Sequence, residues 1–278
     1  MTTAAPEVRY YHRFTLAQRY LHGIVIITFL GLAFTGLPLR FSSTAWAQGL
    51  AGAIGGFAPI LFFHKLNAVI LSVAFVAHVA NIGYRAVVKK QYGLVWGPDS
   101  MVPSLKDITN LFQNLRYFLW LGKKPQFDRY SYWDRFDYWA VFWGMAIIGI
   151  SGYAMWFAPF FARFIPGSWM NIALLIHGEE ALLAVSFIFL IHYFNTHLRP
   201  QNFPMDLTIF TGRETEKEWN EKHPEEYARI KGQGKLEELR AEPPERWLKN
   251  FGRVVGTLAV LAGFVMLYFT VVSFIKEL

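Results

Sequence analysis

Cysteine is absent from all 278 residues. Disulfides, iron–sulfur clusters held by thiolates and covalently attached haem c are thereby excluded. Charge is scarce too: 17% of residues are charged, against 54% hydrophobic and 18% aromatic. Soluble domains carry about 25% charged residues, so the balance fits a polytopic membrane protein with one or two polar loops. The net charge of +7 does not indicate nucleic acid, because the basic residues stand between apolar segments, as bilayer topology requires. The stretch up to Thr15 is polar, with no apolar core and no small-residue cleavage site, and no removable signal peptide is expected.

Five apolar segments reach the roughly 20 residues needed to cross a bilayer: Tyr20–Leu39, Ile60–Tyr84, Phe136–Phe157, Met170–Phe194 and Phe251–Phe274. The first is expected to stop at Gly36-Leu37-Pro38. Gly55-Gly56 and Pro166-Gly167 mark loops before the second and fourth. Twenty-three Lys and Arg residues fall on the side of the N-terminus and the two inner loops. Four (Arg40, Lys65, Arg163 and Lys276) fall on the other. This asymmetry places the N-terminus in the cytoplasm and the C-terminus outside. Leu105–Leu121 interleaves Leu, Phe, Tyr and Trp with Lys, Asn and Arg and reads as an amphipathic helix in the interface. Residues 196–250 form a polar cytoplasmic segment. Its Glu/Lys-rich stretch near Glu214–Arg240 is expected to be solvated helix surface.

Histidines carry the chemistry. His64 and His78 share one apolar stretch and His177 and His192 another, the second pair standing one position further apart than the first. Fourteen steps of about 100° return to within roughly 40° of the start, so the first pair shares a helix face. Two such helices can oppose imidazoles at two depths, which is what non-covalently held haem b requires. A closed zinc site would gather its ligands at one level and recruit cysteine or carboxylate. Ionisable groups at membrane depth are costly to keep and mark electron, proton or ion pathways. The outer level pairs His64 with His177. The inner level has His22, His78, His192 and His197 as contenders, and the residues alone leave His78–His192 and His22–His192 both open. The extra residue between His177 and His192 calls for a π-bulge near Ser186.

Arg13-Phe14-Thr15, Gln18-Arg19, His22 and Thr35-Gly36 resemble the cytochrome b (gamma) subunits of membrane formate dehydrogenases and nickel–iron hydrogenases. The likeness extends through Tyr138-Trp139, Gly152, Trp156, Leu174–His177 and Ile191-His192. The run His197-Leu198-Arg199-Pro200 with Phe203–Asp206 resembles the branch that accompanies periplasmic multihaem cytochromes c. The resemblance implies an all-α integral membrane fold: a four-helix haem-binding bundle over residues 1–195, with a fifth transmembrane helix over 251–278 as an addition. It implies two haem b groups, His22 with His192 on the cytoplasmic side and His64 with His177 on the periplasmic side. It further implies a bacterial inner-membrane electron-transfer subunit of an oxidoreductase complex. Its partners would be quinone or quinol, membrane lipid and a periplasmic redox subunit carrying multihaem cytochrome c, iron–sulfur, molybdenum or nickel–iron centres. His78 is not a ligand in that family; it reads as a polar contact, a propionate partner or the mark of a third haem.

Tyr130, Ser131 and Asp134, at the inner edge of the third span, are the quinone candidates, set against an ordinary aromatic belt. Glu179 and Glu180 follow His177. They read either as acids in the first turn of a helix or as proton acceptors that tune the outer haem. Arg40 and Lys65 are candidates for neutralising propionates. A transporter relaying protons or ions through intramembrane histidines is the alternative, and it lacks an internal repeat.

Overall fold

The computed structural model describes residues 8–277. Five helices are long and apolar enough to cross a membrane: Leu16–Arg40, Phe57–Val87, Tyr132–Trp156, Ser168–Leu198 and Arg246–Glu277, here the first to fifth spans. A segment in hydrocarbon must satisfy every backbone N–H and C=O internally, which a helix does and an isolated strand does not. The shortest spans hold 25 residues, about 37 Å at the helical rise, against a hydrocarbon thickness of about 30 Å. Their outer faces keep Ile27, Val73, Ile150, Leu183 and Leu258 exposed. A protein surrounded by water would bury such residues, whereas lipid accepts them.

Two spans depart from expectation at their ends. The first does not stop at Gly36-Leu37-Pro38 but continues to Arg40. Proline lacks the N–H that would bond one turn back, yet in the last turn that costs a single bond, and Phe41 N still donates to Leu37 O at 2.9 Å. The fourth begins at Ser168, so Glu179 and Glu180 lie about three turns in. They are not in the first turn, and the helix-dipole reading of these two acids fails.

The expected π-bulge is present and extensive. The fourth span is α-helical to Ser186, then π-helical over Phe187–His192 and again over Phe194–Leu198. The fifth span braces this widened stretch. Tyr193 Oη donates to Ala259 O at 3.0 Å. A Cβ on Gly263 would stand 2.6 Å from the Tyr193 ring and 2.7 Å from the Phe189 ring. Ala33, Leu37 and Phe41 of the first span and its end pack in one buried cluster with Leu182, Val185, Phe189, Tyr193 and Met266.

The chain divides into two compact units. One comprises Tyr20–His78, Val141–Asp206 and the chain from Phe251 onward; the other comprises the chain up to Arg19, Val79–Ala140 and Leu207–Asn250. The second unit thus joins the polar segment to the N-terminal stretch and the loop between the second and third spans. Its strand β1 (Tyr10–His12) lies between antiparallel β2 (Arg213–Thr215) and β3 (Arg240–Ala241). The helix Leu105–Phe118 starts at a capping box between Ser104 and Asp107. Thr215 and Glu218 form another at the head of Glu216–Lys222, and Pro224–Gly232 follows with proline in its first turn.

The Glu/Lys-rich stretch is not simply solvated surface. Glu226 is 1% exposed and accepts from Arg13, from Arg129 Nη1 at 2.9 Å and from Trp219 Nε1 at 2.8 Å. Arg13 also faces Glu214 at 3.6 Å, and Arg129 Nη2 donates to Arg13 O at 2.9 Å. Two cations and two anions, brought from three separate stretches of the sequence, thus neutralise one another, with Arg13, Glu214 and Glu226 buried and Arg129 half-buried.

Beside them, His223 Nδ1–H donates to Asp128 O at 2.7 Å. Burial, then the Arg13 charge, lowers its pKa from 6.5 to about 4. Arg13 and Arg129 hold the Glu226 carboxyl below its ordinary range against the opposing effect of burial. Both groups act with one sign. Between pH 6.5 and about 4 the unfolded chain binds a proton at His223 that the fold refuses, so stability is complete above this window and falls as acid is added. Glu226 extends the loss further down, where its folded form must be protonated. Protease resistance of this unit is expected to fall from pH 7 to pH 5. His223→Asn, which keeps a donor for Asp128 O, should flatten the upper part of that profile.

Candidate functional site

The site around His64 and His177 draws on four spans. His64, on the second, seats its ring against Gly36 of the first, where a Cβ would lie 3.1 Å from His64 Cε1. His177, on the fourth, seats against Gly152 of the third, where a Cβ would lie 2.9 Å from His177 Cε1. The two imidazoles face each other with ring centres 6.2 Å apart and planes at 75°.

Each ring is held by its Nδ1. Thr35 Oγ1 donates to Gly31 O at 2.6 Å, so its lone pair accepts the Nδ1–H of His64 at 3.0 Å. His177 Nδ1–H donates to Ile148 O at 3.0 Å, with Ser151 Oγ at 3.3 Å. The Ser151 hydroxyl is itself committed to Ile147 O at 2.7 Å. Both rings therefore carry their proton on Nδ1 and keep the Nε2 lone pair, the tautomer of a metal-ligating histidine.

Sequence reasoning named both histidines, and named Thr35-Gly36 and Gly152 only as carriers of a resemblance, not as seats for the two rings. The signal was there: a hydroxyl residue followed by glycine occurs at matching places in the first and third spans, Thr35-Gly36 and Ser151-Gly152. Around the site, Arg40 pairs with Glu179 at 3.4 Å, and Lys65 Nζ lies 4.8 Å from the centre of the Trp156 ring. Both cations proposed for propionates thus have protein partners, and Glu180 is partly exposed.

At the other level, His22 of the first span has His192 and His197 as electrostatic neighbours, and His197 also faces Asp206. His192 and His197 both lie in the π-helical stretch. His78, on the second span and partly buried, is not among the imidazoles that act on His22. His197 Nδ1 and Asn202 Oδ1 are buried without a hydrogen-bond partner among the described residues, while Asn202 Nδ2 donates to Asn195 O at 2.8 Å. Among the described residues no three His, Asp or Glu side chains are grouped to hold a metal ion. Among the described residues, the His64–His177 pair can supply two imidazole ligands and no third.

Tyr130, Ser131 and Asp134 belong to the other unit and serve the start of the third span. Ser131 N and Oγ both donate to Asp134 Oδ2 at 2.8 Å, and Asp134 N donates back to Ser131 Oγ at 3.2 Å. This is a capping box, readable from the Ser-x-x-Asp spacing. Tyr130 O accepts from Arg135 Nη1 at 3.2 Å, and its ring lies 5.6 Å from the Arg129 guanidinium.

No protein-family model matches the chain, and no curated protein matches it.

Proposed function

We propose that this chain is a dihaem cytochrome b membrane subunit, passing electrons across a bacterial inner membrane between quinone and a redox partner on the periplasmic side. The N-terminus is cytoplasmic on this reading. The observation that carries it is the His64–His177 pair. His64 and His177 would hold a metal through metal–nitrogen bonds of about 2 Å with their ring centres roughly 6 Å apart, and these stand 6.2 Å apart. Two imidazoles with satisfied Nδ1 protons, and no third ligand among the described residues, would suit the iron of a haem, which brings its remaining ligands with it. A bare zinc or copper site would need more from the protein.

His22 with His192 is the matching inner pair, supported by their proximity. His78 is a polar contact on the second span. When bound, such haems exchange single electrons at potentials set by their ligands and surroundings. His64 and His177 would hold the haem iron through Nε2 while their protons stay on Nδ1, and apolar side chains would keep water from the path. A quinone exchanging electrons at the inner level is part of the same reading. Tyr130, Ser131 and Asp134 are its candidate contacts, with Ser131 Oγ and Asp134 Oδ2 also serving the helix cap.

Carbon monoxide tests this reading. With both axial positions filled by histidine, the dithionite-reduced spectrum is expected to stay unchanged under the gas. A shifted Soret band would show an open position and refute the bis-histidine assignment.

The seats give a graded prediction. Gly152→Val should displace His177 and lower outer haem occupancy. Gly36→Ala should act less, because its Cβ would meet His64 at 3.1 Å where that of residue 152 meets His177 at 2.9 Å. Thr35→Val, which removes the acceptor for the His64 proton, should weaken haem retention by about 10- to 100-fold. Haem-to-protein ratios after washing with an apo-haem scavenger rank the three.

A further inference from the structure

The helix Leu105–Phe118 is packed inside out by the standard of a soluble protein. Its polar side is the buried one: Asn110 and Asn114 are buried, Asn114 Nδ2 donates to Tyr132 Oη at 2.7 Å, and Asp107 pairs with Arg135 at 2.7 Å. Its apolar stripe of Leu105, Ile108, Leu111, Phe112 and Leu115 is exposed. Spacings of three and four residues put these five on one face.

The stripe runs on into a turn that exposes Leu119, Trp120 and Leu121, Trp120 being 91% exposed. That turn closes with Leu121 N donating to Arg116 O at 2.8 Å and Trp120 N to Tyr117 O at 3.0 Å. It places Trp120 at φ 56°, the left-handed region that a helix end ordinarily fills with glycine. A bulky aromatic held there and turned outward has no packing reason within the described chain. Strain of this kind persists where another contact compensates it.

Charge identifies the contact. Residues 108–127 contain no Asp or Glu, and their charged groups are Arg116, Lys123 and Lys124; Arg116 and Lys123 are exposed. An apolar stripe ending in a tryptophan, flanked by cations and free of acids, fits the headgroup boundary of an anionic leaflet.

We propose that Leu105–Leu121 is a lipid-embedded anchor whose tip binds an anionic phospholipid, with Trp120 inserted beside the headgroup and Arg116 and Lys123 on the phosphate. This does not depend on the haem reading. Full-length protein in detergent is titrated with phosphatidylglycerol and with phosphatidylcholine of the same chains, and bound lipid is counted by native mass spectrometry. Wild type is expected to prefer phosphatidylglycerol, and the double variant Arg116→Gln, Lys123→Gln to lose about fivefold of that preference per charge removed. No preference in wild type, or an unchanged one in the variant, overturns the proposal. In nanodiscs with brominated acyl chains, the emission lost on Trp120→Phe should be emission that bromine quenches. If that emission is unquenched, the tip lies in water or under a protein partner and the proposal fails. The visible spectrum stays unchanged in all these variants, which separates this test from that of the cofactor.

Discussion

Replacing His177 with alanine is expected to remove one haem per chain and leave the other. The substitution deletes an Nε2 ligand and leaves His64 facing an empty position across what was a 6.2 Å ring separation. A porphyrin held non-covalently has no thioether to keep it once an axial bond is gone, since the chain has no cysteine. The inner pair uses other residues, further along the fourth span and on the first span, so its haem should stay. The reduced α-band should fall to about half with its remaining part intact. His78→Ala is the matching control and should keep both haems, because the proposed inner pair is His22 with His192, and the imidazoles that act on His22 are His192 and His197. Retention of both haems in His177→Ala would refute the outer assignment. Loss of a haem in His78→Ala would refute the inner one.

Glu226→Ala should have the largest effect on stability. Its carboxylate receives Arg13, Arg129 and Trp219 at a site 1% exposed. Alanine would leave two guanidinium groups facing each other across a cavity, with one acid, Glu214, remaining. Removing one partner of a buried ion pair costs about 3–5 kcal/mol, a large share of the roughly 5–15 kcal/mol that holds a domain together. The unit containing Leu207–Asn250 should become protease-sensitive at temperatures where the wild type resists. Glu226→Gln, which keeps the shape and an acceptor for Trp219, should fall between. Glu221→Ala, whose pair with Lys217 is exposed, should change little. Equal protease resistance of Glu226→Ala and Glu221→Ala would contradict this account of the cluster.

Parts of the molecule were legible in the sequence for physical reasons. The spans were readable because hydrocarbon permits few backbone solutions, so long apolar runs must be helices. The π-helical stretch was readable because the one extra residue between His177 and His192 turns His192 by about 100° from where the spacing of the first histidine pair would place it. The Glu226 cluster was not readable. Arg13 and Glu226 lie 213 residues apart, and a local charge run looks the same whether its members point to water or to one another. Strands of two and three residues are too short to show a period. Besides the quinone role expected of them at the membrane edge, Ser131 and Asp134 cap a helix, a use that their Ser-x-x-Asp spacing already described.

The central claim is that four spans hold two haems between opposed histidines. The most direct measurement is the haem content of the purified protein by the pyridine haemochrome method, against protein mass from amino-acid analysis. The expected result is two protohaems per chain with a b-type reduced α-band. A ratio of one, or none with the chain folded, would contradict the account.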